Sequence, residues 1–432
     1  MAKEDGPDRG TRPYPAAVAT RKERLVQIMT YKKTGRTGLA LALIAALLLT
    51  GCGAAMGPQT QQPAAEPPTE TPASVTVQGK TPEETAPEES VEEERQELEE
   101  QILQMELEQH ILRYAFDENA VVAPPPDPEG YAVFPSEQAD QVLALAEQAR
   151  DWGLLTEDEA LAFSAEADFV PDSEIRTYLD PSIFSICWKE LIDGNTCSFC
   201  ETRVADGSQL RRKLAEDSYG SSIQYYASEL AAQTNAVAAM NADYYLFRDL
   251  GVAVYNRQLY RFREEPFANG LMKYNAVDNC FITGTGELLF TRAGEEFDRE
   301  EMEQYIADND VIFSFAFGPV LVDDGKPIPC DGYPVGEVNQ GYSRAGIGQL
   351  GHLHYLYMSL NHSPEKEARW TVTTFAQHFA EKGVERAYCL DGGQTGELVF
   401  QGQPFNHIDF GTERLVSDIF YFASAIPAED QG

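Results

Sequence analysis

The 432-residue chain is 43% hydrophobic and 10% aromatic, enough apolar material for a sizeable core, and it is not a wholly disordered protein. Its formal net charge is −37, and residues 1–51 carry nine Lys/Arg against four Asp/Glu, so the remainder is more acidic still. Such a field excludes nucleic acid and anionic lipid headgroups as partners of the folded part, and an anionic ligand needs local cations to meet it.

The chain opens with an export pattern. Met29, which has the character of an alternative start, is followed by Lys32, Lys33 and Arg36, an eleven-residue apolar run at 39–49, and the tetrapeptide LTGC. The run is short for a membrane span, which needs about 20 residues. LTGC resembles a bacterial lipobox, so residues 1–51 are expected to be a signal region and Cys52 a lipid-modified N-terminus. The folded part is then expected outside the cytoplasm, tethered to the bacterial cell membrane.

Residues 52–89 are rich in Pro, Thr, Gln and Glu and poor in aromatics, the composition of a disordered stalk. Over 90–170 the pattern turns helical. Ser90 and Glu93 form a capping box before a repeat of Leu98, Ile102, Met105, Leu112 and Phe116, and a helical pair is expected from Ser136 and from Thr156, separated by Gly153. Packing against each other or against the main domain is the simplest use of these faces, and recognition of a partner is the alternative.

Beyond Cys52, the cysteines are Cys187, Cys197, Cys200, Cys280, Cys330 and Cys389, an even set that permits three disulfides outside the cytoplasm. The CSFC spacing also suits zinc or thiol exchange, but no second CxxC and no nearby His completes a tetrahedral site. Cys389 reads as a core thiol.

The chemistry lies between 206 and 425. Ile223, Tyr226, Ala227 and Leu230 repeat at helical spacing before a short strand at 236–240 that ends in Asn241-Ala242-Asp243. Val372, Phe375, Ala376 and Phe379 repeat likewise, Gly383 suits a helix end, and the next strand ends in Asp391-Gly392-Gly393. Two strands that end in polar loops are expected to face one cleft, with the glycines allowing a ligand close to the backbone. Between them, Gly318-Pro319 breaks a strand-like run and Asp324-Gly325 marks a hairpin. Arg344 stands among Gly341, Gly346 and Gly348, a flexible small-residue setting that suits an oxyanion-binding guanidinium. His352, His354 and His362 have no evident further ligand that would make them a metal site, and partly buried structural roles suit them.

Five segments in this order, MNADYY, FAFGPVLVDDGK, SRAGIGQ, CLDGGQTG and ERLVSDIFYF, resemble the successive motifs of the phosphodiester glycosidase family, the family of the mannose 6-phosphate uncovering enzyme. The resemblance implies an α+β, mixed-sheet domain over 171–427, with 428–432 as a tail, and an exported hydrolase that splits a sugar from a phosphodiester. It implies that Asp391 acts at the anomeric carbon as base or nucleophile with Asp243 as its partner carboxylate. Arg344 and then Arg414 would hold the phosphate, with Asn241, Gly392, Gly393 and Asp418 around the substrate and Ser417 in the same terminal motif. An alternative is a divalent cation held by Asp391, Asp243 and Asn241. The chain departs from the family pattern at Ala242-Asp243 and at Gln394-Thr395, which follow Asn241 and Gly393 where the family has small residues. A membrane-tethered glycan-binding or envelope-assembly module and a metal-dependent phosphoesterase are the rival readings.

Overall fold

The computed structural model describes residues 122–247, 249–264, 274–333, 338–362 and 370–426. The signal region with Cys52, the stalk, the helical repeat at 90–116 and the tail lie outside the described residues. Those described belong to one compact unit.

The N-terminal part of this unit is a run of long strands with one helix: β1 (Tyr131–Pro135), α1 (Asp140–Asp151), β2 (Glu174–Asp180), β3 (Ile183–Ile192), β4 (Asn195–Val204) and β5 (Leu210–Leu214). Strands β3 and β4 are joined by Asp193-Gly194, both at positive φ, because a two-residue hairpin turn needs left-handed backbone to match the strand twist. The middle part comprises α2 (Ala227–Gln233), β6 (Ala238–Asn241), β7 (Ala253–Tyr255), β8 (Gln258–Arg261), β9 (Asn279–Thr283), β10 (Leu288–Thr291), α3 (Arg299–Asp308) and β11 (Val311–Phe315). The chain then forms β12 (Val320–Asp323), β13 (Lys326–Pro327), β14 (Arg344–Gly351), β15 (His354–Leu360), α4 (Val372–Glu381), β16 (Arg386–Leu390), β17 (Leu398–Phe400), β18 (Gln403–Pro404) and β19 (Asp418–Phe422). The Asp324-Gly325 hairpin forms where the sequence places it, between β12 and β13.

Three sheets result, in an α+β arrangement. The largest has nine strands in the order β1-β2-β3-β4-β15-β14-β16-β12-β13, and two five-stranded sheets run β10-β9-β11-β7-β8 and β18-β17-β6-β19-β5. On one face of the large sheet Trp188, Phe199 and Met358 pack with α1 and α4. On the other, Ile183, Tyr355, Tyr357 and Ile347 meet Phe315 and Cys280 of one small sheet and Leu398 and Phe420 of the other. Helix α4 docks through Phe375 and Phe379, each worth roughly 1.5–3 kcal/mol of burial. It docks closely because β14 carries Gly346 and Gly348 beneath it, where a Cβ would come within 3.2 Å of the Phe379 ring. Gly346 and Gly348 are therefore strand residues that admit a helix, not parts of a flexible loop, while Gly341 precedes the strand.

The described part of the expected helical segment is woven into this fold. β1 pairs with β2, and Val142, Ala146 and Ala149 of α1 enter the core. The helix expected from Thr156 does not form. The buried carboxylate of Glu201 accepts the backbone N–H groups of Ala162 and Phe163 at 2.9 and 2.8 Å, and Glu159 pairs with Arg203 at 3.0 Å, so tertiary partners pin this segment as a loop. The CSFC cysteines are separated by strand geometry. Cys197 faces the helical side and Cys200 the opposite core, so the two sulfurs cannot share a metal or a disulfide. The six cysteines within the described residues are buried and not joined in disulfides.

Candidate active site

The ends of β6 and β16 belong to different sheets, yet the structure joins them. Asn241 Nδ2 donates to the Asp391 carbonyl at 2.5 Å, and the Asp391 N–H donates to the Ala242 carbonyl at 3.3 Å. Tyr357 Oη and the Glu397 N–H both donate to Asn241 Oδ1, at 3.1 and 3.2 Å, which fixes the orientation of the amide. The expected common cleft is present as an open hollow. Its walls come from three stretches: Asn241, Ala242, Tyr244 and Phe247; Asp391 and Thr395; and the run from Arg414 to Asp418.

Asp391 is partly exposed, and its Oδ2 accepts the Thr395 hydroxyl at 2.5 Å. Thr395 thus holds the carboxylate in one orientation, a function visible only once the loop is folded. Arg414 is exposed and presents a cation to the same hollow. Asp418 also lines it, although only 1% of the residue is exposed. Burial raises the pKa of its carboxyl in spite of the nearby Arg212 guanidinium.

The remaining expected site residues are placed differently. Asp243 is 2% exposed and is not a cleft-facing partner of Asp391. Its Oδ1 accepts from Arg212 Nη2 at 2.6 Å, its Oδ2 accepts the Ala316 N–H at 2.8 Å, and Arg212 Nε reaches Asp418 Oδ2 at 2.8 Å. Burial opposes the charge on Arg212, but the two carboxylates outweigh it and raise the guanidinium pKa. This buried Arg212 was hidden in the sequence because Arg211-Arg212-Lys213 reads as a solvated charge run; the only signal was its place inside a strand.

Arg344 opens β14, is 9% exposed and donates from Nη2 to the Gln340 carbonyl at 2.8 Å. It lies outside the cleft lining, whereas Arg414 is part of it. Gly392 does not make room for a ligand. A Cβ there would sit 2.5 Å from the Ser343 carbonyl oxygen, so the glycine admits the neighbouring strand entry, while Gly393 supplies positive φ for the turn. Ser417 is buried and its hydroxyl donates to Asp418 Oδ1 at 3.0 Å.

The histidines are dispersed. His352 Nδ1 meets Glu287 at 2.6 Å, His354 Nε2 meets Glu201 at 2.8 Å, and His362 lies 3.8 Å from Asp409. Among the described residues no group of three or more His, Cys, Asp or Glu side chains is disposed to hold a metal ion. The carboxylate of Asp243 that the expected cation set would use is committed to Arg212.

One carboxyl near the site escaped the sequence reading. Glu397 is 1% exposed beside the Asn241 strand, and burial, reinforced by the Glu413 carboxylate, pushes its pKa up to about 9. In the sequence it is one more polar residue in a glycine-rich turn.

Residues 234–423 match the phosphodiester glycosidase family model. Over that stretch the chain is similar to the phosphodiester glycosidase family. Every cleft residue falls inside the matched stretch, whereas Arg212 and β1 to β5 precede it. The SPbeta prophage-derived protein YomE of Bacillus subtilis is 27% identical over 154 residues, which is 34% of this chain and 23% of that protein. The match thus spans about a quarter of the curated relative's length. Among solved structures, the zebrafish N-acetylglucosamine-1-phosphodiester alpha-N-acetylglucosaminidase catalytic domain, auto-inhibited by its pro-peptide, has a TM-score of 0.42 at 14% identity. That likeness covers 57% of this chain and 84% of the other. A hypothetical protein from Synechocystis has a TM-score of 0.40 at 14% identity, covering 60% and 64% respectively.

Proposed function

We propose that the chain is a hydrolase that cleaves the bond between a sugar and a phosphodiester. The observation that carries this reading is the meeting of Asp391 and Arg414 in one cleft of the phosphodiester glycosidase domain, a carboxylate and a cation suited to the two ends of the scissile unit. Arg414 holds the anionic phosphate, and its planar fork engages two oxygens at once. Asp391, oriented by Thr395, acts at the anomeric carbon, either as nucleophile or as the base that takes a proton from water. The C–O bond to phosphate breaks, the oxygen of water enters the sugar, and a phosphate monoester leaves. A phosphate carries its departing charge well, so little acid assistance is required.

Asn241 acts as a positioning residue that holds the Asp391 backbone. Asp243 and Asp418 are held by Arg212 as the supporting floor, so charge balance rather than proton transfer is their role. The export pattern ending in Cys52 supports placing this hydrolase outside the cytoplasm as a membrane-tethered lipoprotein acting on envelope or extracellular glycans.

The test is hydrolysis of a sugar 1-phosphodiester in oxygen-labelled water, with and without a chelator. Label in the sugar is expected. Label in the phosphate would make the protein a phosphoesterase instead, and chelator-sensitive turnover would bring in a cation. Asp391→Asn keeps the loop's size and most of its hydrogen bonds, so it is expected to fold normally and lose about a hundredfold or more in kcat. Full turnover in that variant refutes the assignment. No turnover in the wild type, with glycan binding retained, would favour a binding module.

A further inference from the structure

Phe410 is the most exposed large apolar side chain among the described residues, at 86%. Its backbone stands at φ +67°, a left-handed conformation that a bulky residue adopts only under strain. A loose surface tip would explain an exposed ring, but the loop is anchored from two sides. Asp409 is 3% exposed; its Oδ2 accepts the Ser343 hydroxyl at 2.6 Å and its Oδ1 accepts the His362 N–H at 2.9 Å. From the cleft side, Gln394 Nε2 donates to the Thr412 carbonyl at 3.0 Å and to the Thr412 hydroxyl at 3.3 Å. Gln394 follows Gly393 in the Asp391 loop, so the loop that carries the candidate carboxylate also steadies the loop that displays Phe410.

We propose that Phe410 is an outer sugar subsite beside the cleft, steadied by Gln394 and Asp409, and that the ligand is therefore a glycan of at least two rings. This rests on the sugar phosphodiester reading above and narrows its substrate class. A pyranose has an apolar face and a polar rim. The face suits a fixed, exposed phenyl ring, and the rim suits the Thr412 hydroxyl that Gln394 holds beside it. Tyr244, also at positive φ and within the cleft, offers the corresponding inner aromatic surface. Phe410 is outside the cleft lining, so it binds substrate without approaching the reacting bond. Gln394 acts through the loop and is a positioning residue.

The test uses the full chain and four probes: N-acetylglucosamine and its β-1,4-linked dimer, and glucose and maltose, titrated by ligand-observed NMR. At least one dimer is expected to bind about tenfold more tightly than its monomer. Phe410→Ala should remove that advantage and leave monomer affinity unchanged. Phe410→Gly should remove it as well while raising the melting midpoint, because glycine relieves the backbone strain; this separates lost stacking from misfolding. Gln394→Gly should reduce the advantage and Gln394→Asn should restore part of it. Equal binding of monomer and dimer, no binding of any probe, or an advantage retained in Phe410→Ala overturns the proposal. So does tighter binding of octyl phosphate than of methyl phosphate that Phe410→Ala abolishes, which would make the occupant an alkyl chain. Turnover enters none of these readouts. Dimer preference without hydrolysis sinks the hydrolase reading alone, and hydrolysis with a KM indifferent to Phe410 sinks the subsite alone.

Discussion

Replacing Glu397 by Gln tests the electrostatics behind the cleft without touching a residue that lines it. Glu397 is 1% exposed, and burial with the added repulsion of Glu413 raises its pKa from the ordinary 4.5 to about 9. The folded state therefore keeps a proton that the unfolded chain releases. Stability carried by that proton is complete below the unfolded value, falls as pH rises, and is lost by the time pH passes the folded value. At about pH 7 the gap from the ordinary value is roughly 2.5 units, which corresponds to about 3 kcal/mol as an upper bound. Gln has the same shape and no proton to lose, so Glu397→Gln should be the more stable protein at about pH 7 to 8 and close to wild type at about pH 4.5. Urea unfolding of both proteins across this range isolates the difference, because all other groups titrate alike in the pair. A stability difference that does not change with pH would refute the raised pKa and with it the neutral state of Glu397.

Two other outcomes are expected. Arg212→Leu leaves Asp243 and Asp418 buried without their cation, a loss of about 3–5 kcal/mol at neutral pH; the melting deficit should shrink in acid as the carboxyls take up protons, and an equal deficit at both pH values would show that lost packing, not charge, is responsible. Cys52→Ala should abolish metabolic labelling with a radiolabelled fatty acid and leave an uncleaved precursor, whereas normal processing would remove the lipoprotein assignment.

What the sequence disclosed were the features that local physics writes directly. The period of Val372, Phe375, Ala376 and Phe379 gave helix α4, and Asp324-Gly325 gave its hairpin, because each depends on neighbours along the chain. The convergence of the Asn241 and Asp391 loops was legible for a related reason, since both follow a helix and a short strand. The failures were all cases in which a distant partner decided the outcome. Glu201 prevented a helix at Thr156 by taking two backbone donors, and Arg212 drew Asp243 away from Asp391. Arg344 looked like a loop cation because its glycines suggested flexibility, whereas two of them, Gly346 and Gly348, serve the docking of α4.

The location of the cleft follows from the same long-range packing. Asp391 directly follows a strand of the nine-stranded sheet, while Asn241 ends one strand and Asp418 begins another in a five-stranded sheet. A single sheet would keep its strand ends at ladder spacing, with no hollow between them. Two sheets packed through Tyr357 and Phe420 leave their ends unpaired at the seam, so backbone and side-chain polar groups there must find partners across it. The bonds from Asn241 to Asp391 and from Arg212 to Asp243 and Asp418 meet that need. The first bond also fixes the Asn241 amide and the Asp391 backbone beside the open hollow, and Thr395 fixes the Asp391 carboxylate, a preorganisation that suits the proposed displacement at an anomeric carbon. The polar groups at the seam thus serve stability and the proposed chemistry through one set of contacts.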